Sequence, residues 1–116
     1  MKERYTPDRN DIIWLDFEPT KGKEIGKYRP AFVLSNKKYN KDLGLLICCP
    51  ISTSIRGKVT EVPINNLEQP SVIVTRIINT YSWKDRKVKF IAKAEASVLK
   101  SVLQRIIPLI GGETLF

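Results

Sequence analysis

Histidine is absent from this 116-residue chain. That removes the side chain most often used to move protons near neutral pH. Any acid–base chemistry must therefore rest on carboxylate, guanidinium, hydroxyl or amine groups. Cysteine is scarce as well: Cys48 and Cys49 stand side by side inside an apolar run. Adjacent residues of a strand point to opposite faces, so a bridge between them would be strained. A metal centre would need further soft ligands that the chain lacks. Both thiols read as small core residues, and neither a metal nor another cofactor is expected. Long apolar runs are missing too. Nothing approaches the roughly 18–20 residues that span a bilayer, and no apolar segment like that of a signal peptide follows Met1-Lys2-Glu3-Arg4-Tyr5. These absences argue against a disulfide scaffold and a membrane partner, and they predict a cytoplasmic location.

What the chain has is positive charge. Twenty Lys and Arg against twelve Asp and Glu give a formal charge of +8. Such an excess favours a polyanionic partner, with nucleic acid, an acidic protein or an anionic surface as the options. The plain alternative is a merely soluble basic protein. The length suits a single domain over 1–116, and 42% hydrophobic content supplies a core.

Most of the chain has strand character. Asp11–Glu18 carries aromatic and β-branched residues and ends at Pro19, which cannot donate to a ladder. Ala31–Leu34 follows. Asn36–Gly44 is polar and turn-like. Leu45–Ile51 is almost continuously apolar, as a strand buried on both faces would be. Val59–Ile64 alternates. Ser71–Thr75 and Ile77–Trp83 read as one long or bent strand, and Val88–Ala92 as a last short one after the charged turn 84–87. Trp14 and Trp83, both in apolar strands, read as core. The period then changes: Val98, Leu99, Val102, Leu103, Ile106 and Ile107 recur at three- and four-residue spacing, predicting one amphipathic helix that stops by Gly111-Gly112. The layout is mainly β with one long C-terminal helix, a curved antiparallel sheet or small barrel with the helix against it.

Chemistry concentrates between the first two strands, in Lys21-Gly22-Lys23-Glu24-Ile25-Gly26-Lys27-Tyr28-Arg29-Pro30. Cleavage of RNA can use the substrate's own 2′-hydroxyl, which leaves the protein to remove a proton and steady a pentacovalent phosphorane. Preorganised carboxylate, guanidinium and hydroxyl groups suffice. Glu24 is the candidate proton acceptor, and Arg29 grips phosphate through its planar fork. Ser52 or Thr53, after the third strand, donates a hydrogen bond to a phosphate oxygen. Each has a plain alternative. Glu24 reads equally as a solvated carboxylate among lysines, Arg29 as its ion-pair partner, and Ser52 and Thr53 as turn residues bonded to their own backbone. Tyr28 suits stacking on an unpaired base or covering a sheet edge.

Four blocks of the chain resemble the MazF/PemK family of toxins. They are Arg4-Tyr5-Thr6-Pro7-Asp8 leading into Asp11–Gly22; Glu24 with Arg29-Pro30-Ala31 and Val33-Leu34-Ser35; Cys49-Pro50-Ile51-Ser52-Thr53; and the apolar helix ending Leu109-Ile110-Gly111. The resemblance implies a small SH3-like β-barrel, usually a homodimer. It also implies a metal-independent endoribonuclease that cuts single-stranded RNA to 2′,3′-cyclic phosphate and 5′-hydroxyl ends, held in check by an antitoxin. The family's catalytic arginine falls on Arg29, its loop glutamate on Glu24 and its threonine on Ser52, with Thr53 beside it. Where many members have an Asp-Gln pair, this chain has Arg76-Ile77, a base in place of an acid. The resemblance further implies RNA-binding roles for Lys21, Lys23, Lys27, Tyr28, Arg56, Lys58 and Arg76. An acidic, disordered antitoxin segment suits the same basic surface. Two rivals stand beside this reading. One is a gyrase poison similar to CcdB, acting through its C-terminal helix, although Gly112–Phe116 does not look like that family's tail. The other is a weakened member that binds RNA or antitoxin without cutting.

Overall fold

The computed structural model describes residues 4–115; the readings that touch Met1–Glu3 and Phe116 lie outside them. Seven strands form one antiparallel sheet: β1 (Asp11–Asp16), β2 (Tyr28–Val33), β3 (Leu45–Ser52), β4 (Glu61–Ile64), β5 (Ser71–Val74), β6 (Asn79–Ser82) and β7 (Lys89–Lys93). The order runs β4-β5-β3-β2-β1-β7, with β6 also on β3. The sheet curls into a half-barrel around α2 (Ala96–Leu109), the amphipathic helix expected from the sequence.

Alternation along the strands builds two cores. Ile12, Phe32, Cys49, Ile51 and Ile73 face α2 and meet its buried Val102 and Ile106. Their chain neighbours Ile13, Ala31, Val33 and Cys48 point the other way, against Leu15, Phe17, Leu46 and Trp83. The adjacent cysteines thus lie in different cores, and burial pushes both thiols up, Cys49 to about 12. The segment read as one bent strand is interrupted. β5 pairs with the end of β3 at Ile51 and Ser52, and β6 with its beginning from Leu45 to Cys48. Between them 75–78 turn, the Ile77 N–H returning to the Val74 carbonyl at 3.3 Å, which keeps Thr75 buried and presents Arg76 to solvent.

Two readings of the sequence need correction. Asn36–Gly44 is not a simple turn: Lys37–Leu43 is a helix, α1. Asn36 caps it by accepting from the Tyr39 amide at 2.8 Å. Gly44, at φ 67°, ends it and returns its N–H to Asn40. Asn40 is fully buried, and its amide donates to the Pro7 and Ser35 carbonyls. Trp14 is not core either. It is 36% exposed and stacks on Tyr28 at 5.4 Å, whereas Trp83 is buried and donates its indole N–H to the Asn40 carbonyl. A strand position next to the edge of a half-barrel can face outward even inside an apolar run, which residue type alone does not reveal.

Candidate active site

The loop ends of β1–β2, β3–β4 and the β5–β6 turn enclose a cleft of about 770 Å³. The local chain explains its walls. Glu18 reaches across the base of the first loop and accepts the Lys27 N–H at 2.8 Å. Lys27 takes a left-handed φ of 71°. Gly26 lies so close to Glu18 and Thr20 that an added Cβ would collide with the Glu18 carboxylate, so glycine serves close approach here.

Arg29 is a strand residue, opposite Leu15 in the β1–β2 ladder. Its Nε donates to the Gly26 carbonyl at 2.6 Å, which aims the guanidinium into the cleft. Partial burial lowers its pKa from the ordinary guanidinium value. Among the described residues no carboxylate pairs with it. Glu24 stands exposed on the same β1–β2 loop that anchors Arg29, its carboxylate accepting the Lys21 N–H. Ser52 ends β3 half-buried, and its Oγ accepts the Ser54 N–H at 3.0 Å.

Glu24, Arg29 and Ser52 therefore open onto one cleft, joined there by Lys23, Arg56 and Arg76. The other residues singled out from the sequence lie elsewhere. Thr53 turns toward a neighbouring hollow beside Trp14 and Leu67. Tyr28 stacks on Trp14 and donates its hydroxyl to the Lys87 carbonyl at 2.9 Å. Lys21, Lys27 and Lys58 flank the cleft without lining it. Arg76 and Ile77 both line it, so Arg76 faces the same space as Arg29.

Sequence reasoning missed Glu61. It is buried, lines the cleft, and accepts from the Arg56 N–H at 3.1 and 3.3 Å and from the Lys58 N–H at 3.3 Å. One carboxylate thus organises the wall that carries Arg56. A glutamate inward-facing in the alternating strand Val59–Ile64, just after a glycine-containing loop, was the available signal.

Comparison with known proteins supplies the family. Residues 8–110 match the PemK-like, MazF-like toxin of type II toxin–antitoxin systems. The chain is 36% identical over 110 residues to the endoribonuclease toxin MazF of Escherichia coli, covering 92% of this chain and 99% of that protein. Its fold superposes on crystalline MazF from Deinococcus radiodurans with a TM-score of 0.89 at 34% identity, covering 93% and 99% of the two chains. It also matches a MazE–MazF crystal structure from the same organism, with a TM-score of 0.80 at 29% identity over 93% of this chain and 99% of that one. From the motif-bearing loops to the helix that closes the half-barrel, this chain belongs to the PemK/MazF family of toxins.

Proposed function

We propose that this toxin is a metal-independent, sequence-selective endoribonuclease of single-stranded RNA, restrained by a cognate antitoxin. One observation carries the reading: a carboxylate, a guanidinium and a hydroxyl from three chain segments share a single cleft rimmed by further cations. Its full-length relative in Escherichia coli is an endoribonuclease toxin.

The chemistry follows from the groups. Glu24 takes the 2′-hydroxyl proton, and the 2′-oxygen forms a bond to phosphorus. Negative charge grows on the phosphorane oxygens, where Arg29 donates through its fork and Ser52 through its hydroxyl. The bond from phosphorus to the 5′-oxygen breaks, and that oxygen takes a proton from water in the open cleft; the hydroxide left behind takes the proton held by Glu24, which restores the carboxylate. The products are a 2′,3′-cyclic phosphate and a 5′-hydroxyl. No metal is required, because the nucleophile belongs to the substrate and the charge is met by guanidinium. Even with its pKa lowered, Arg29 stays protonated at neutral pH, so it stabilises charge rather than donating the proton. Lys23, Arg56 and Arg76 hold the backbone, while unpaired bases are read at the cleft walls.

The antitoxin reading is supported by crystals of a related MazF with MazE. An acidic segment laid over the basic loops would mask Arg29 and Glu24 together. A homodimer fits the exposed Leu103, Leu109 and Ile110 on and beyond α2.

The test is cleavage of an unstructured RNA in excess EDTA, by wild type and Arg29→Ala. Discrete cuts with cyclic-phosphate ends, lost in the variant, are expected. Equal cutting by the variant overturns the mechanism. One observation favours a second reading: Arg76 adds a cation to the cleft where many relatives carry an acid. A binder without turnover would then regain cleavage in Arg76→Asp; if that variant stays silent, this explanation fails.

A further inference from the structure

We infer that a second anion site lies toward the opposite end of the half-barrel from the cleft, and that it takes phosphodiesters of the RNA strand flanking the cut. The site is a hollow of about 480 Å³ whose cations are Arg4, Lys37, Lys41 and Lys84. They come from the N-terminal segment, α1 and the β6–β7 turn, so the fold converges them from places distant in sequence. Lys37 and Lys41 are four apart on α1 and share one face. The floor is rigid and apolar: Trp83 is pinned by its bond to the Asn40 carbonyl, and Lys84 Nζ lies 6.0 Å from its ring. Among the described residues no carboxylate lines the hollow. Nor, among them, is any of its four cations in an ion pair; Asp42, on α1 beside Lys41, pairs with Lys38 instead. Asp85, in the same turn as Lys84, does not line it.

Its position relative to the cleft comes from β3. Ser52 ends that strand, while Trp83 donates its amide to Gly44 just before the strand begins. Eight residues at roughly 3.3 Å each make β3 about 25 Å long, which sets the upper bound on the separation of its two ends, one at the cleft and one at the hollow. The surface between them is mixed, with Lys27, Lys84 and Lys87 set among Asp16, Glu18 and Asp85. The β6–β7 turn lies against the β1–β2 loop, with Arg86 donating to the Asp16 and Glu18 carbonyls and Tyr28 to that of Lys87. Lys27, Lys87 and Lys84 therefore lead from the cleft wall to the hollow. Three of its cations are lysines, point charges that suit phosphates without reading bases. The small apolar floor leaves little for a folded protein partner to bury, so a nucleic-acid strand fits better than an acidic peptide.

The inference rests on RNA being the substrate, and the test separates the two claims. Lys37→Ala/Lys84→Ala is compared with wild type on two RNAs sharing one cleavage motif, a short one filling only the cleft and a long one with flanks. Anisotropy with uncleavable 2′-O-methyl versions of both strands measures binding without catalysis. For the long RNA, kcat/KM and affinity should fall about tenfold, since an exposed charge pair is worth up to about fivefold. The slope of log affinity against log salt should flatten by about 0.7 for each phosphate no longer neutralised. The short RNA should behave as with wild type, and Lys84→Arg should retain most of the effect of Lys84. Equal behaviour of the two proteins on long RNA, or equal loss on both lengths, overturns the site. So does unchanged RNA affinity with weakened binding of an acidic antitoxin peptide, which would assign the hollow to protein. A length-dependent loss of binding in a protein that cuts neither RNA would keep the site and overturn the cleavage reading.

Discussion

At the scale of single residues, the cleft depends on groups whose neighbours aim them. Arg29→Ala should lower kcat/KM for RNA by about 10²–10³, the usual cost of one transition-state donor. Arg29→Lys should recover little, because an ammonium keeps the charge and loses the fork; steady-state kinetics on a defined oligonucleotide checks both. The Arg-Pro step, the loop glutamate and the hydroxyl after β3 were all legible in the sequence. Thr53 was not separable from Ser52, because one position along a strand end decides whether a residue reaches the cleft: Ser52 borders both hollows and Thr53 only the second. The thiols give a second prediction. Burial raises Cys49 to about 12 and Cys48 as well, so both are protonated at pH 8. Thiol reagents should label neither until denaturant is added. The sign of the linked stability follows. Burial favours the neutral thiol, so this contribution is intact below the ordinary thiol pKa of 9.0 and is lost as pH rises from there toward 12.

At the scale of elements, loops are held by carboxylates that do no chemistry. Glu61→Ala should leave the Arg56 and Lys58 amides without their acceptor, costing about 1–3 kcal/mol and loosening the cleft wall. Thermal melting would register the first effect and a raised KM the second. Gly26→Ala should displace Glu18 from the Lys27 amide, disturb the Arg29 anchor and cut activity more than it lowers Tm. In α2, Ile106→Ala should cost about 2–5 kcal/mol, while Leu103→Ala, at 37% exposure, should cost far less. The strands and α2 were readable because their periods run long enough to repeat. Helix α1 was not, because its seven residues carry only Tyr39 and Leu43 as large apolar groups. Its signal lay in the caps, Asn36 and Gly44, eight positions apart. The break between β5 and β6 was hidden for a different reason: apolar and polar residues continue through 75–78, and only pairing with β3 shows where the ladder skips.

At the scale of the molecule, charge sets affinity. If Lys23, Arg29, Arg56 and Arg76 each neutralise one phosphate, raising salt from about 50 to 200 mM should weaken RNA binding about 50-fold. A titration series in KCl measures this directly. The net charge of +8 was plain in the sequence, but its division between a cleft and a distant hollow was not, because that needs the fold to bring Arg4, α1 and Lys84 together. The topology also divides the molecule by tempo. Strand β3 is laddered on both sides, to β2 along one edge and to β5 and β6 along the other, and both cores close over it. Its amides should be among the last to exchange with solvent. Ser52 ends that slow strand, while Glu24 rides an exposed loop held by few bonds. One side of the cleft is thus an anvil and the other a jaw. If RNA is the substrate, as proposed, one that fits must still the jaw before it is cut, and a sequence that cannot do so would leave unharmed.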